Sequence, residues 1–171
     1  MSTQLIQRYL PNYPAHLHAQ IGQLHAQGQL GVYLQQRYPQ QHAIQSDKAL
    51  YDFCVDLKQR YLKNAPLLDK VTFDNRLTIE KQTLGLNTAI SRVQGGKLKA
   101  KKEIRISAFF KTAPLAFLKM IVVHELAHLK ERDHDKAFYQ LCMHMEPEYP
   151  QYEFDCRVYL LWQALANTTH S

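Results

Sequence analysis

Ile121-Val122-Val123-His124-Glu125-Leu126-Ala127-His128-Leu129 is the stretch on which the reading of the whole chain turns. Six of its nine residues are apolar and none is Gly or Pro, so it reads as a buried helix. Four residues advance a helix by about 400°, which brings His124 and His128 out on one face, close enough to share one metal ion. Glu125 is rotated away from them and can address a water on that ion. Two imidazoles on a buried helix need polar partners, and a metal supplies them. Nine His and seven Glu in 171 residues would give an HExxH by chance about 0.02 times. The competing reading, two core histidines with ordinary hydrogen bonds, is therefore the weaker one, and Zn2+ is the expected ion, with another divalent metal as the alternative.

A hydrolytic zinc site takes a third protein ligand and keeps one position open. His134 is the leading candidate. On an unbroken helix it would stand about 240° from His128, so the chain must turn between Lys130 and Asp133. Asp133 is the expected N-cap of the next helix, with His134 in its first turn. Metzincins have a glycine at this turn, where this chain has Glu131. Glu146, Glu148 and Glu153 stay open as rival ligands, and His144 reads as structural.

Working outward, the pattern after Pro114 is helical, with helices expected near 114–131, 134–146 and 150–166. Upstream the period changes to two. Val71 and Phe73, then Leu77 and Ile79, alternate around Asp74-Asn75 and read as a hairpin. Strands are expected over 88–93 and 98–110, joined by Gly95-Gly96, with Ile104, Ile106 and Phe110 on one face and Lys97, Lys99, Lys101 and Arg105 on the other. Further upstream lie two short helices, around Leu17, Ile21, Leu24 and around Leu30, Leu34, broken near Gly28 and Gly31. A third helix, capped by Ser46 or Asp47, runs to about Leu62. Helices, then sheet, then helices give a single α+β domain over 1–171. Its N-terminal residues 1–65 are helical, residues 66–112 form a small, mainly antiparallel sheet, and 113–171 hold the active-site and C-terminal helices.

Composition narrows the class. Hydrophobic residues make up 46% and charged residues 21%, values of a folded globular domain rather than a disordered or fibrous chain. Cys54, Cys142 and Cys156 have no CxxC spacing, which argues against a secreted disulfide framework and for small buried residues in a reducing compartment. No apolar run approaches a membrane span, and residues 1–20 lack the pattern of a signal peptide, so a cytoplasmic location is expected. The net charge of +6 suits a polyanionic partner without requiring one. No acidic residue precedes Asp47, and the oligomeric state has no signature in the sequence.

His124-Glu-Leu-Ala-His128-Leu-Lys, His134-Asp-Lys-Ala-Phe138-Tyr and Met145-Glu-Pro-Glu-Tyr149 closely resemble the YgjP-type family of small metal-dependent hydrolases, relatives of the WLM and SprT zincin-like metallopeptidases. The resemblance extends through Ala89 to Lys101 and the helix from Asp47 to Tyr61, most of the chain. It implies a zincin-like catalytic domain with zinc on His124, His128 and His134, and Glu125 as the catalytic carboxylate. Many relatives carry Arg-x-Gly-Ser-Cys before the active helix; here Ser91-Arg92-Val93-Gln94-Gly95-Gly96 keeps Arg92 and lacks the Ser-Cys.

Tyr149 and Arg92 are the candidate stabilisers of a developing oxyanion. Two substrates compete. A peptide would lie along the strand bordering the active helix, as zincin substrates do, and a metallopeptidase is the first expectation. A nucleoside triphosphate would be held by the basic strand 92–105, within the run Arg92, Lys97, Lys99, Lys101, Lys102, Arg105 and Lys111, with Gly95-Gly96 offering N–H groups to a phosphate. The resemblance implies this option too, since the family carries a UTP pyrophosphatase assignment. The bland reading of those lysines is a solvated strand face. A third option is a metal-stabilised nucleic-acid-binding module, which the absence of aromatics between the lysines disfavours.

Overall fold

The computed structural model describes residues 2–83 and 102–168. The chain divides into two compact units, Met1–Gln40 with Pro150–Ser171, and Gln41–Tyr149.

In the first unit, α1 (Ser2–Tyr9), α2 (Ala15–Ala26) and α3 (Leu30–Arg37) accompany the long C-terminal helix Tyr149–Thr168, of which all but Tyr149 belongs to this unit. Gly28, at φ 68°, makes the break between α2 and α3 in the left-handed region that glycine adopts freely. Gly31 is not a breaker. It lies inside α3, where a Cβ would stand 2.9 Å from Cζ2 of Trp162. Asp155 is the polar centre of this unit. Its carboxylate, 0% exposed, accepts from the hydroxyls of Tyr33 (2.8 Å) and Tyr38 and from Nε2 of Gln151 (2.9 Å), with Nε of Arg37 at 3.5 Å. Burial, then the hydrogen bond to Asp155, pushes the Tyr33 phenol up to about 12, and the same two causes raise Tyr38.

The second unit carries the sheet and the HExxH helix. Its first helix, α4 (Asp47–Tyr61), is capped by Ser46, whose Oγ accepts from the Ala49 amide at 3.1 Å. Asp47 instead accepts from the amide of Phe73 at 2.8 Å, tying α4 to β1 (Lys70–Asp74). β1 pairs in parallel with β2 (Glu103–Ser107), in the register Val71 to Ile104 and Phe73 to Ile106. The expected hairpin and the mainly antiparallel sheet are therefore both wrong among the described residues. A tight turn joins only antiparallel neighbours, whereas parallel strands need a crossover. The turn at Asp74 does form, with Oδ1 accepting from the Arg76 amide at 2.8 Å. It leads, however, into a short helix, α5 (Ile79–Thr83), capped by Thr78, whose Oγ1 accepts from the Lys81 amide at 3.2 Å.

β2 ends at Ser107, and a 3-10 turn (Ala108–Lys111) replaces the rest of the expected strand. Val71, Ile104 and Ile106 are buried at 3% exposure or less and Arg105 faces out, so the expected alternation holds as far as Ile106 and breaks at Ser107, which is buried too. The helix α6 (Leu115–Ala127) carries the HExxH. It is buried on nearly every side, with Phe117, Leu118, Ile121, Val122, Val123 and Leu126 at 1% exposure or less. α7 (Lys136–Met145) follows, and Tyr149 opens α8 (Tyr149–Thr168). The described residues are thus mainly helical, with a small parallel two-stranded sheet in the second unit. The expected strand 88–93 and the start of the strand 98–110 lie outside the described residues. No helix among those described is long and apolar enough to cross a membrane.

Candidate metal centre

α6 ends at Ala127, earlier than its apolar pattern suggests, and the amides of Leu129, Lys130 and Glu131 bend back onto the carbonyls of Leu126 and Ala127 at 2.9–3.0 Å. This tightened end turns the chain after His128. The cap of α7 is Asp135, whose Oδ1 accepts from the Phe138 amide at 3.0 Å, and not Asp133. His134 accordingly precedes the helix rather than opening it. In this position it reaches His128, with 3.0 Å between their Nε2 atoms, and the Nε2 atoms of His128 and His124 are 3.3 Å apart. One ring nitrogen from each of the three lies within 4.8 Å of the others, so the group could hold a metal ion.

The outer nitrogens show what the inner ones can do. Nδ1 of His128 lies 2.9 Å from the carbonyl oxygen of Glu131. A carbonyl only accepts, so Nδ1 carries the proton and Nε2 presents a lone pair toward the other two histidines. Nδ1 of His124 lies 2.9 Å from the hydroxyl of Tyr149. Three imidazole nitrogens facing one another at these distances form a donor set that fits a divalent metal accepting imidazole nitrogen. Beneath the triad lies Phe138. Its ring, 0% exposed, is 5.1, 4.6 and 4.9 Å from the rings of His124, His128 and His134.

Glu125 sits beside this group, its Oε2 4.0 Å from Nε2 of His124 and its side chain 10% exposed. Behind it, burial and then the charge of Glu125 push the Cys54 thiol up to about 12, which keeps it protonated and inert. All three cysteines are buried and none is in a disulfide, in line with their reading as small core residues.

Of the rival ligands, Glu146 is committed elsewhere. Lys119 Nζ is 2.7 Å from its Oε1, and its Oε2 accepts from the Glu148 amide at 2.8 Å. Glu148 does not join the triad, Glu153 belongs to the first unit, and the ring of His144 packs 5.4 Å from that of Tyr61. Arg92, Lys97, Lys99 and Lys101 lie outside the described residues. Sequence reasoning passed over Phe138 and the Glu131 carbonyl. The Asp135-x-x-Phe138 cap was readable, but which ring then lies under the histidines depends on how α7 docks on α6.

Two histidines one helical turn apart, a carboxylate beside them and a third histidine closing the group make a site suited to a metal ion. The profile of the YgjP-like, metallopeptidase domain matches residues 70–155, half of the chain, and the chain belongs to this family. It is 56% identical over 152 residues, 89% of its own length and 91% of the other's, to the UTP pyrophosphatase of Escherichia coli (strain K12). No solved structure matches significantly.

Proposed function

We propose that the enzyme hydrolyses a nucleoside triphosphate, UTP foremost, to the monophosphate and diphosphate, with zinc held by His124, His128 and His134. The observation that carries this reading is the 56% identity, over nine-tenths of both chains, to a protein named UTP pyrophosphatase. When bound, the metal supplies a Lewis acid that polarises the phosphoryl group and makes water acidic near neutral pH. Glu125 accepts the proton of the attacking water. The new bond forms between that water's oxygen and the α-phosphorus, the α–β bridging bond breaks, and diphosphate leaves. Arg92, Lys97, Lys99 and Lys101 offer the charge that a triphosphate requires, and Lys102 continues that run into the described residues.

Peptide hydrolysis is the second reading, favoured by the metallopeptidase description of the matched domain. One contact counts against it. The buried Gln82 side chain donates to the carbonyl of Arg105 at 2.8 Å and accepts from the amide of Ser107 at 2.7 Å. A peptide extending the sheet along β2 would have to displace that amide before pairing.

The test offers zinc-loaded protein UTP, the other nucleoside triphosphates, mixed peptides and an unfolded protein, while diphosphate, phosphate and new amines are followed together. Equal amounts of UMP and diphosphate from UTP are expected. New amines without diphosphate would overturn the proposal in favour of the peptidase.

A further inference from the structure

We infer that Tyr149 is a positioning residue: its hydroxyl fixes the tautomer of His124 so that Nε2 faces the metal position with a free lone pair. The inference rests on the metal-centre reading above and adds to it a reason why the triad is competent before any ion arrives. For Nε2 of His124 to serve as a ligand, Nδ1 must hold the proton and donate it to an acceptor. The Tyr149 oxygen, 2.9 Å away in a residue that is 0% exposed, can accept it. His128 solves the same problem with the backbone carbonyl of Glu131, which admits no second arrangement. A hydroxyl can donate as well as accept, so at His124 the tautomer depends on a side chain, and the sequence can change it.

Packing alone does not set that choice. Phe138 holds the three rings in place, but an apolar face is indifferent to which nitrogen bears the proton. The residue that carries the hydroxyl is anchored through its backbone. The Tyr149 amide donates to the carbonyl of Glu146 at 3.0 Å, and the Glu146 carboxylate is pinned by Lys119 at 2.7 Å. The Tyr149 ring also lies 6.3 Å from that of Tyr139. Lys119 stands on α6, the helix that carries His124, so the support runs from the helix out to Tyr149 and back to the histidine. This places Tyr149 behind a ligand, a different role from the oxyanion contact expected for it from the sequence.

The experiment uses Tyr149→Phe, which removes one oxygen and keeps the ring. Tyr61→Phe, whose ring lies against His144 instead, is the control. Zinc affinity by chelator competition is expected to fall 10–100-fold in Tyr149→Phe, the usual loss when the outer partner of a ligating histidine is removed, and to hold in Tyr61→Phe. Nitrogen NMR of the metal-free wild type, at a pH where the imidazole is neutral, is expected to show His124 with its proton on Nδ1. In Tyr149→Phe, His124 alone should become a mixture of tautomers while His128 stays fixed. Unchanged affinity with an unchanged tautomer would overturn the inference and leave the metal centre standing. A loss spread over all three histidines would mark a merely structural role and overturn it equally. Failure of the wild type to bind zinc would overturn both readings together. Should Tyr149→Phe not fold, the wild-type spectrum decides: a proton on Nε2 of His124 refutes the inference.

Discussion

Glu125→Gln is expected to keep its zinc and its fold while losing about 10³-fold or more in turnover. Gln matches Glu in shape, and the side chain is held beside a helix packed on nearly every side, so little packing changes. What disappears is the ability to accept a proton from water, a contribution of about 10²–10⁴-fold in general-base catalysis. The position of Glu125 makes this a sharp test. Its Oε2 lies 4.0 Å from Nε2 of His124, beyond a hydrogen bond, so its carboxylate is a neighbour of the triad rather than a member. Metal analysis should therefore find one zinc per chain in both proteins, with diphosphate release from UTP nearly abolished in the variant. Loss of zinc together with activity would make Glu125 a ligand, and retention of activity would remove it from the chemistry altogether.

The HExxH helix was readable because everything that specifies it is local: an apolar run, two histidines one turn apart and no breaker. His134 followed from ligand chemistry, since a site of this type wants a third donor soon after the helix ends. Its cap was misplaced by two residues because Asp133 and Asp135 are equally good caps in isolation. Only the docking of Phe138 under the triad selects Asp135. The sheet was misread for a different reason. Local turn chemistry at Asp74 is real, but it cannot reveal that β1 pairs with a strand that starts at Glu103, after a crossover. The outer contacts of the site, Tyr149 on His124 and the Glu131 carbonyl on His128, are likewise tertiary. Tyr149 was singled out from the sequence, yet the atom its hydroxyl reaches is set by tertiary packing.

Asp155→Ala is expected to destabilise its unit by about 3–5 kcal/mol, the cost of removing one member of a buried charged network. The reason begins with composition. The first 46 residues contain no acid, so the hydroxyls and guanidinium of Tyr33, Tyr38 and Arg37 on and just after α3 have no carboxylate in their own stretch. Asp155, more than 110 residues along the chain, supplies it, and with Gln151 it gathers four donors on two oxygens at 0% exposure. Alanine leaves those donors without their acceptor in a space water enters poorly. Tyr33→Phe removes one donor and its hydroxyl together, leaves the carboxylate three others, and should lose only about 1.5–3 kcal/mol. The raised phenols add a pH signature. A phenol shifted from 10 to about 12 favours the folded state below pH 10, and that contribution disappears as the pH rises toward 12. Wild type should therefore weaken steeply across this window, and Tyr33→Phe less so. Trp162 is the single tryptophan and belongs to this unit, so its fluorescence during urea unfolding reads the effect directly. A loss under about 1 kcal/mol in Asp155→Ala would show that the four donors find water, and that the apolar contacts of α8 alone hold α3 in place.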